Sequence, residues 1–190
     1  MKIAETGFWD GKIAHHHHVY NVELSNWICN FLLKNSNKDE YVIDFGCGLG
    51  NYLDNLQSNE FPNLIGIEGD IPEKKVFKGD MIKQDLTKPF NLGVKGTIIS
   101  LEVAEHIPSE YTDIYLNNID NHCNEYLIMS WAIRNQAGFG HVNCLNNDEV
   151  IKLLENRNYK LLSDATIDAR NVIQNNAFWF KNTLLIFKIY

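Results

Sequence analysis

The stretch Asp44-Phe-Gly46-Cys47-Gly48-Leu-Gly50 decides how this chain reads. It closes Tyr41-Val-Ile-Asp-Phe, an apolar run of strand length, and it precedes a segment with helical spacing at 51–57. Glycines directly after a strand let the backbone turn sharply and approach a ligand that any Cβ would block. The N–H groups at the start of the next helix favour an anionic ligand group. The spacing is not that of a dinucleotide fingerprint, G-x-G-x-x-G, because the third glycine stands at 50 and Asn51 follows it. Asp44 also argues against a pyrophosphate, since it adds negative charge beside phosphates. It suits a ligand that carries an ammonium.

Outward from this loop, strands and helices alternate. Asn21 can cap a helix running to about Lys34, with Leu24, Trp27, Ile28, Phe31 and Leu32 on one face. Further strands are expected at 64–67, 81–84, 97–101, 126–131, 159–162 and 183–190. Helices are expected at 110–123, from Asn147 or Asp148 to about 156, and from an Asp164 cap to about 175. Apolar strands alternating with helices predict a doubly wound α/β domain, a largely parallel sheet covered on both faces. Ligands of such sheets sit at the carboxyl ends of the strands, where the strand order reverses.

Composition agrees. The chain has 190 residues, 45% of them hydrophobic, so one domain is expected, with an N-terminal segment at 1–37 that carries a helix and a core at 38–190. Its apolar runs, such as Leu184-Leu-Ile-Phe, are strand-sized, which predicts no membrane span. The net charge of −7 and the lack of a basic cluster disfavour DNA as a partner. No secretory leader is visible, and Cys29, Cys47, Cys123 and Cys144 form no CxxC pair, so reduced thiols in a cytoplasm are expected. His15–His18 is internal and runs into a helix start, so it reads as native sequence rather than as a tag.

Glu68 ends the second strand, placed to accept both hydroxyls of a ribose. Asp85, ending the third, can accept from an adenine amino group while Leu86 covers the ring. Together with Ser100-Leu-Glu-Val-Ala-Glu-His-Ile-Pro, these segments resemble, in order, the motif set of class I S-adenosylmethionine-dependent methyltransferases over residues 40–150. The resemblance implies a Rossmann-like, mostly parallel seven-stranded sheet whose last strand is antiparallel, with the N-terminal segment 1–37 folding over the cofactor as a lid. It implies S-adenosylmethionine as cofactor, held by Asp44, Gly46, Cys47, Gly48, Gly50, Glu68, Gly69, Asp85, Leu86, Leu101, Glu102 and Tyr20. Such a ligand joins an ammonium, a carboxylate, a sulfonium and a nucleoside without phosphates.

The segment Glu102-Val-Ala-Glu105-His106 supplies a second constellation. On a helix, its i, i+3, i+4 spacing would gather both carboxylates and the imidazole on one face. The pattern is similar to that of ubiquinone-pathway O-methyltransferases and small-RNA 2′-O-methyltransferases, where it can hold a divalent metal. His141, preceded by two glycines in Gly138-Phe-Gly-His-Val-Asn143, is placed either to deprotonate an acceptor or to join Glu102, Glu105 and His106 as a fourth metal ligand. The competing reading is structural, with Glu105 and His106 ordering the turn and shaping the acceptor pocket. Trp131, Trp179 and Phe178 could line that pocket, although core packing suits aromatics at strand ends.

The expected function is therefore methyl transfer to a small-molecule acceptor, at oxygen, with His141 or His106 as general base and Glu105 beside them. A metal-dependent RNA 2′-O-methyltransferase is the alternative, disfavoured by the charge. A non-catalytic cofactor-binding subunit is the third reading, since binding and chemistry use different residues.

Overall fold

The computed structural model describes residues 3–9, 19–174 and 176–190. His15–His18 lies outside the described residues. The element order is α1 (Val22–Asn35), β1 (Tyr41–Phe45), α2 (Asn51–Ser58), β2 (Leu64–Glu68), β3 (Asp80–Lys83), β4 (Gly96–Ser100), α3 (Thr112–His122) and β5 (Cys123–Ser130). It ends with α4 (Asn147–Glu155), β6 (Tyr159–Leu161), α5 (Ser163–Val172), the short α6 (Phe180–Thr183) and β7 (Leu184–Ile189).

All seven strands form one sheet in the order β3-β2-β1-β4-β5-β7-β6. The pairs among β3, β2, β1, β4 and β5 are parallel, and β7 lies antiparallel to both β5 and β6. The order reverses between β1 and β4, and this opens a crevice at their carboxyl ends. The doubly wound expectation, antiparallel last strand included, is met.

Strand periodicity explains the layers. Val42, Ile99, Ile128 and Ile186 face one side and pack with Leu24 and Ile28 of α1, Leu53 and Leu56 of α2 and Ala169 of α5. Their strand neighbours Ile43, Ile98, Leu127 and Phe187 face the other side, against Leu116 and Ile119 of α3 and Val150 and Leu154 of α4. Burying each such Ile or Leu contributes about 1.5–3 kcal/mol. Both faces are covered, so the central strands read as continuous apolar runs.

Local signals set most boundaries. Asn21 caps α1, its Oδ1 accepting the Leu24 N–H at 2.7 Å. At α4 the cap is Asn146, one residue ahead of expectation, and its N–H donates to Glu149 at 3.0 Å. α5 starts at Ser163, so Asp164 sits inside its first turn, where a carboxylate favours the helix dipole, instead of capping it.

The larger departure is at 102–106. The only helical turn there is a single 3₁₀ turn, Ala104–His106, so the shared face that a helix would have given Glu102, Glu105 and His106 does not form. Glu102 is left-handed (φ 58°), and its N–H donates to Ser130 Oγ at 2.7 Å while Ser130 donates back to its Oε1 at 2.8 Å. Downstream, Pro108 holds Ile107 in extended backbone (ψ 120°), because the residue before a proline avoids helical angles. The segment is pinned at one end and broken at the other.

Candidate functional site

A cavity of about 240 Å³ runs along the carboxyl ends of β1 to β4. Its floor is the glycine loop. Gly46 and Cys47 donate their N–H groups to Ile67 O at 2.8 and 3.0 Å, which turns the chain back across β2. Gly46 has φ 76°, and a Cβ there would stand 2.4 Å from Val103 Cγ2. Only glycine satisfies both conditions.

Four carboxylates line this space. Asp44 is buried and accepts no hydrogen bond from the described residues, and burial with the nearby Glu68 charge pushes its carboxyl up to about 8. A lone buried acid of this kind calls for a proton or for a cationic ligand group. Glu68 accepts N–H groups from Gly48 and Gly69, each at 2.8 Å, but burial still raises its carboxyl above the usual range. Asp85 Oδ1 takes both the N–H and the hydroxyl of Thr87, at 2.9 and 2.7 Å, and Leu86 packs beside it. Glu102 is raised to about 7, chiefly by burial.

Of the residues expected at the cofactor, Asp44, Gly46, Cys47, Glu68, Gly69, Asp85, Leu86, Leu101, Glu102 and Tyr20 all line the cavity. Tyr20 stands edge-on to Tyr52, ring centroids 5.3 Å apart, and its carbonyl accepts from Asn176 Nδ2 at 3.1 Å. Gly48 and Gly50 are off the wall and shape the turn from behind. Gly50, left-handed at φ 80°, lies against Phe77 and leads into α2. The residues fit an ammonium-bearing nucleoside: an unpaired acid at Asp44, a strand-end acid at Glu68, and a polar and apolar pair at Asp85 and Leu86.

Beyond β4 and β5 the same cavity reaches two histidines. His106 and His141 face each other with ring centroids 5.1 Å apart at 75°. His106 Nδ1 lies 3.1 Å from Gly140 O, and His141 Nδ1 lies 3.2 Å from Gln136 O. A carbonyl only accepts, so each Nδ1 carries the hydrogen and each Nε2 keeps the basic lone pair. The loop bearing His141 is clipped to the turn bearing His106, because Val142 and Asn143 both donate N–H groups to the Glu105 carbonyl, at 2.9 and 3.0 Å. Glu105 itself is fully buried off the cavity wall, both carboxyl oxygens without a hydrogen-bond partner among the described residues, and burial raises its carboxyl well above normal.

One ligand atom each from Glu105, His106 and His141 lies within 4.8 Å of the others, close enough to share a divalent cation. Glu102, expected among the metal ligands, stands outside this group and is held by Ser130. Trp131 is a core residue whose Nε1 donates to Asn143 O at 2.5 Å. Phe178 is exposed, and of the three aromatics considered only Trp179 reaches the cavity.

Periodicity gave no hint of the cover formed by 3–9. This hairpin is closed by Ala4 N–H to Phe8 O and Gly7 N–H to Ala4 O, both 2.9 Å. Phe8 lies over Gly69, whose missing Cβ makes the room, and Gly7 packs on the His106 carbonyl. Trp9 stands edge-on to His106 at 5.3 Å and to Phe139 at 6.1 Å. A hairpin this short carries no helical or strand repeat to announce it.

No protein-family model matches the chain, and the search of curated proteins found no match. Solved structures do match. The sugar N-methyltransferase KedS8 from a Streptoalloteichus species superposes with a TM-score of 0.68 at 12% identity, covering 100% of this chain and 98% of that one. An S-adenosylmethionine-dependent methyltransferase from Clostridium acetobutylicum gives 0.65 at 14% identity, covering 93% and 95%. Magnesium protoporphyrin IX methyltransferase from Synechocystis, with S-adenosylhomocysteine bound, gives 0.61 at 17% identity, covering 93% and 91%. The chain has the fold of the class I S-adenosylmethionine-dependent methyltransferases.

Proposed function

We propose that this protein is an S-adenosylmethionine-dependent methyltransferase that methylates a small molecule at oxygen, with His141 or His106 as general base. The observation that carries the reading is the convergence of both imidazoles on a cavity whose other end holds the unpaired Asp44 and the strand-end Glu68. When bound, the cofactor supplies a methyl group on a sulfonium sulfur. The chain's own task is positioning: Asp44 holds the ammonium, Glu68 the ribose hydroxyls, and Asp85 with Leu86 the adenine. These contacts fix the donor so that an acceptor hydroxyl approaches in line. A His Nε2 beside that hydroxyl would take its proton, so that the oxygen could accept the methyl group the bound cofactor would supply.

Glu105, His106 and His141 would be the residues to hold a divalent cation, which could orient the acceptor oxygen. Metal content of wild type against Glu105→Ala/His106→Ala tests that part alone. No helix among the described residues is long and apolar enough to cross a membrane, and all four cysteines are free thiols, which supports action in the cytoplasm. The deciding experiment incubates the protein with methyl-labelled S-adenosylmethionine and pools of metabolites or RNA. Label in the small-molecule fraction supports the reading, label in RNA replaces it with the RNA enzyme, and binding without transfer leaves a cofactor-binding subunit.

A further inference from the structure

Resting on that reading, we propose that Asn118, on α3 and outside the cavity, is a positioning residue for the cofactor: it sets the turn at Asp85-Leu86 that selects adenine. Residues 84–95 carry the chain from the carboxyl end of β3 back to the amino end of β4, and a parallel crossover of this kind usually contains a helix. Here the stretch has neither helix nor strand, so its backbone groups need partners from elsewhere. α3 supplies them. Asn118 Nδ2 donates to Leu86 O at 2.9 Å and to Lys88 O at 3.0 Å, and its Oδ1 accepts the Phe90 N–H at 3.3 Å. One turn on, His122 Nε2 accepts the Leu92 N–H at 2.9 Å, while its Nδ1–H donates to Asn118 O at 2.6 Å. The side chains of Leu86, Phe90, Leu92 and Val94 pack in the same layer as Leu116 and Ile119 of α3.

The two side chains reach different parts of the stretch. Asn118 is buried, and both of its amide hydrogens and its amide oxygen are engaged. Its bond to Leu86 O ends on the cavity wall, beside Asp85, whereas the His122 bond lies six residues further along. Asp85 Oδ1 is taken by the N–H and hydroxyl of Thr87, which leaves Oδ2 to accept from an adenine amino group. Thr87 therefore braces the turn from within and Asn118 from behind. Without the Asn118 donors, the Leu86 and Lys88 carbonyls lose their partners and the turn can shift. A hydrogen bond weakens steeply with distance and angle, so a small shift of Asp85 removes its preference for an amino group over a carbonyl at that position.

Calorimetric titration with S-adenosylhomocysteine and with S-inosylhomocysteine, in which a carbonyl replaces the adenine amino group, reads the selection. The expected preference for the adenine ligand is tenfold or more in wild type and threefold or less in Asn118→Ala. Asn118→Asp, which keeps the acceptor for Phe90 and loses the amide donors, should match the alanine variant and takes its place if that variant does not fold. His122→Leu, which strands the Leu92 N–H but spares the bonds to Leu86 and Lys88, should lose stability in urea unfolding yet keep the tenfold preference. A merely structural role would not move this ratio, because the unfolded share weakens both apparent affinities equally. A tenfold preference retained by the Asn118 variants, or its equal loss in His122→Leu, overturns the proposal. Wild-type binding of S-adenosylhomocysteine without the preference also overturns it and leaves the cofactor reading standing, whereas no binding of S-adenosylhomocysteine overturns the methyltransferase reading itself.

Discussion

Glu68 joins two strand ends: one carboxylate oxygen accepts the Gly48 N–H and the other the Gly69 N–H, each at 2.8 Å. The contact spans 20 residues and fixes the glycine loop against β2 before any ligand arrives. Glu68→Ala leaves two buried N–H groups without an acceptor, a loss of about 1–3 kcal/mol in folding stability. Affinity for S-adenosylhomocysteine should fall at least tenfold with it. Glu68→Gln keeps one acceptor oxygen and should fall between the two. Urea unfolding and ligand titration read both effects, and an alanine variant as stable as wild type would refute the role.

Asp44 makes the ligand-free protein sensitive to base. Its carboxyl titrates near 8 in the fold, against 3.8 for an ordinary aspartate. Between those values the folded chain holds a proton that the unfolded chain has lost, so stability falls as pH rises and levels off above 8. Glu102, raised to about 7, acts in the same direction. From pH 6 to pH 8 the loss from Asp44 should be about 2 kcal/mol, measured by urea unfolding without ligand, and Asp44→Asn should flatten the curve. Ligand binding should show the opposite slope. An ammonium favours the ionised carboxylate, so affinity for S-adenosylhomocysteine should rise toward pH 8 with net proton release in calorimetry.

Ser130 and Glu102 exchange two hydrogen bonds, Glu102 N–H to Ser130 Oγ and Ser130 Oγ–H to Glu102 Oε1. That exchange holds Glu102 in its left-handed backbone at the end of β4. Ser130→Ala should cost about 1–3 kcal/mol, because it strands a backbone N–H and removes a donor from a buried carboxyl. The same change should push the Glu102 carboxyl above 7, since the Ser130 hydroxyl now draws it down. Carbon-13 NMR of the Glu102 carboxyl reads that shift, and an unchanged titration would count against the pairing.

The sheet and the convergence of Asp44, Glu68 and Asp85 on one cavity were legible in the sequence because both rest on local rules. Strand-length apolar runs, helix caps and glycines after a strand act over a few residues, and Asp44, Glu68 and Asp85 follow as the ends of successive strands. The acceptor end depends on contacts between distant segments. The i, i+3, i+4 spacing at 102–106 would gather its groups only on a helix, and Ser130, in a strand 28 residues on, and Pro108 impose a different backbone. Trp9 meets Phe139 across 130 positions, and no periodicity encodes such a meeting. His141 was visible for a local reason, the two glycines before it, of which Gly138 makes room for the imidazole ring.

The two histidines should divide their work unequally. His106 is packed by Trp9 on its ring and by Gly7 on its carbonyl, whereas His141 sits on the loop between exposed Phe139 and Val142. With Nδ1 on a carbonyl in each, Nε2 is the nitrogen able to receive a proton. Exposed Phe139 and Val142 place His141 at the rim where an acceptor enters, so His141→Ala should lower kcat by about 10²-fold or more. KM for S-adenosylmethionine should change far less, because the contacts proposed for the cofactor lie at the other end of the cavity. His106→Ala should show a smaller fall in kcat and a larger rise in acceptor KM, because it removes part of the wall that Trp9 leans on. Steady-state kinetics with both substrates varied separates these patterns, and equal kcat for His141→Ala and wild type would remove His141 from the proton transfer.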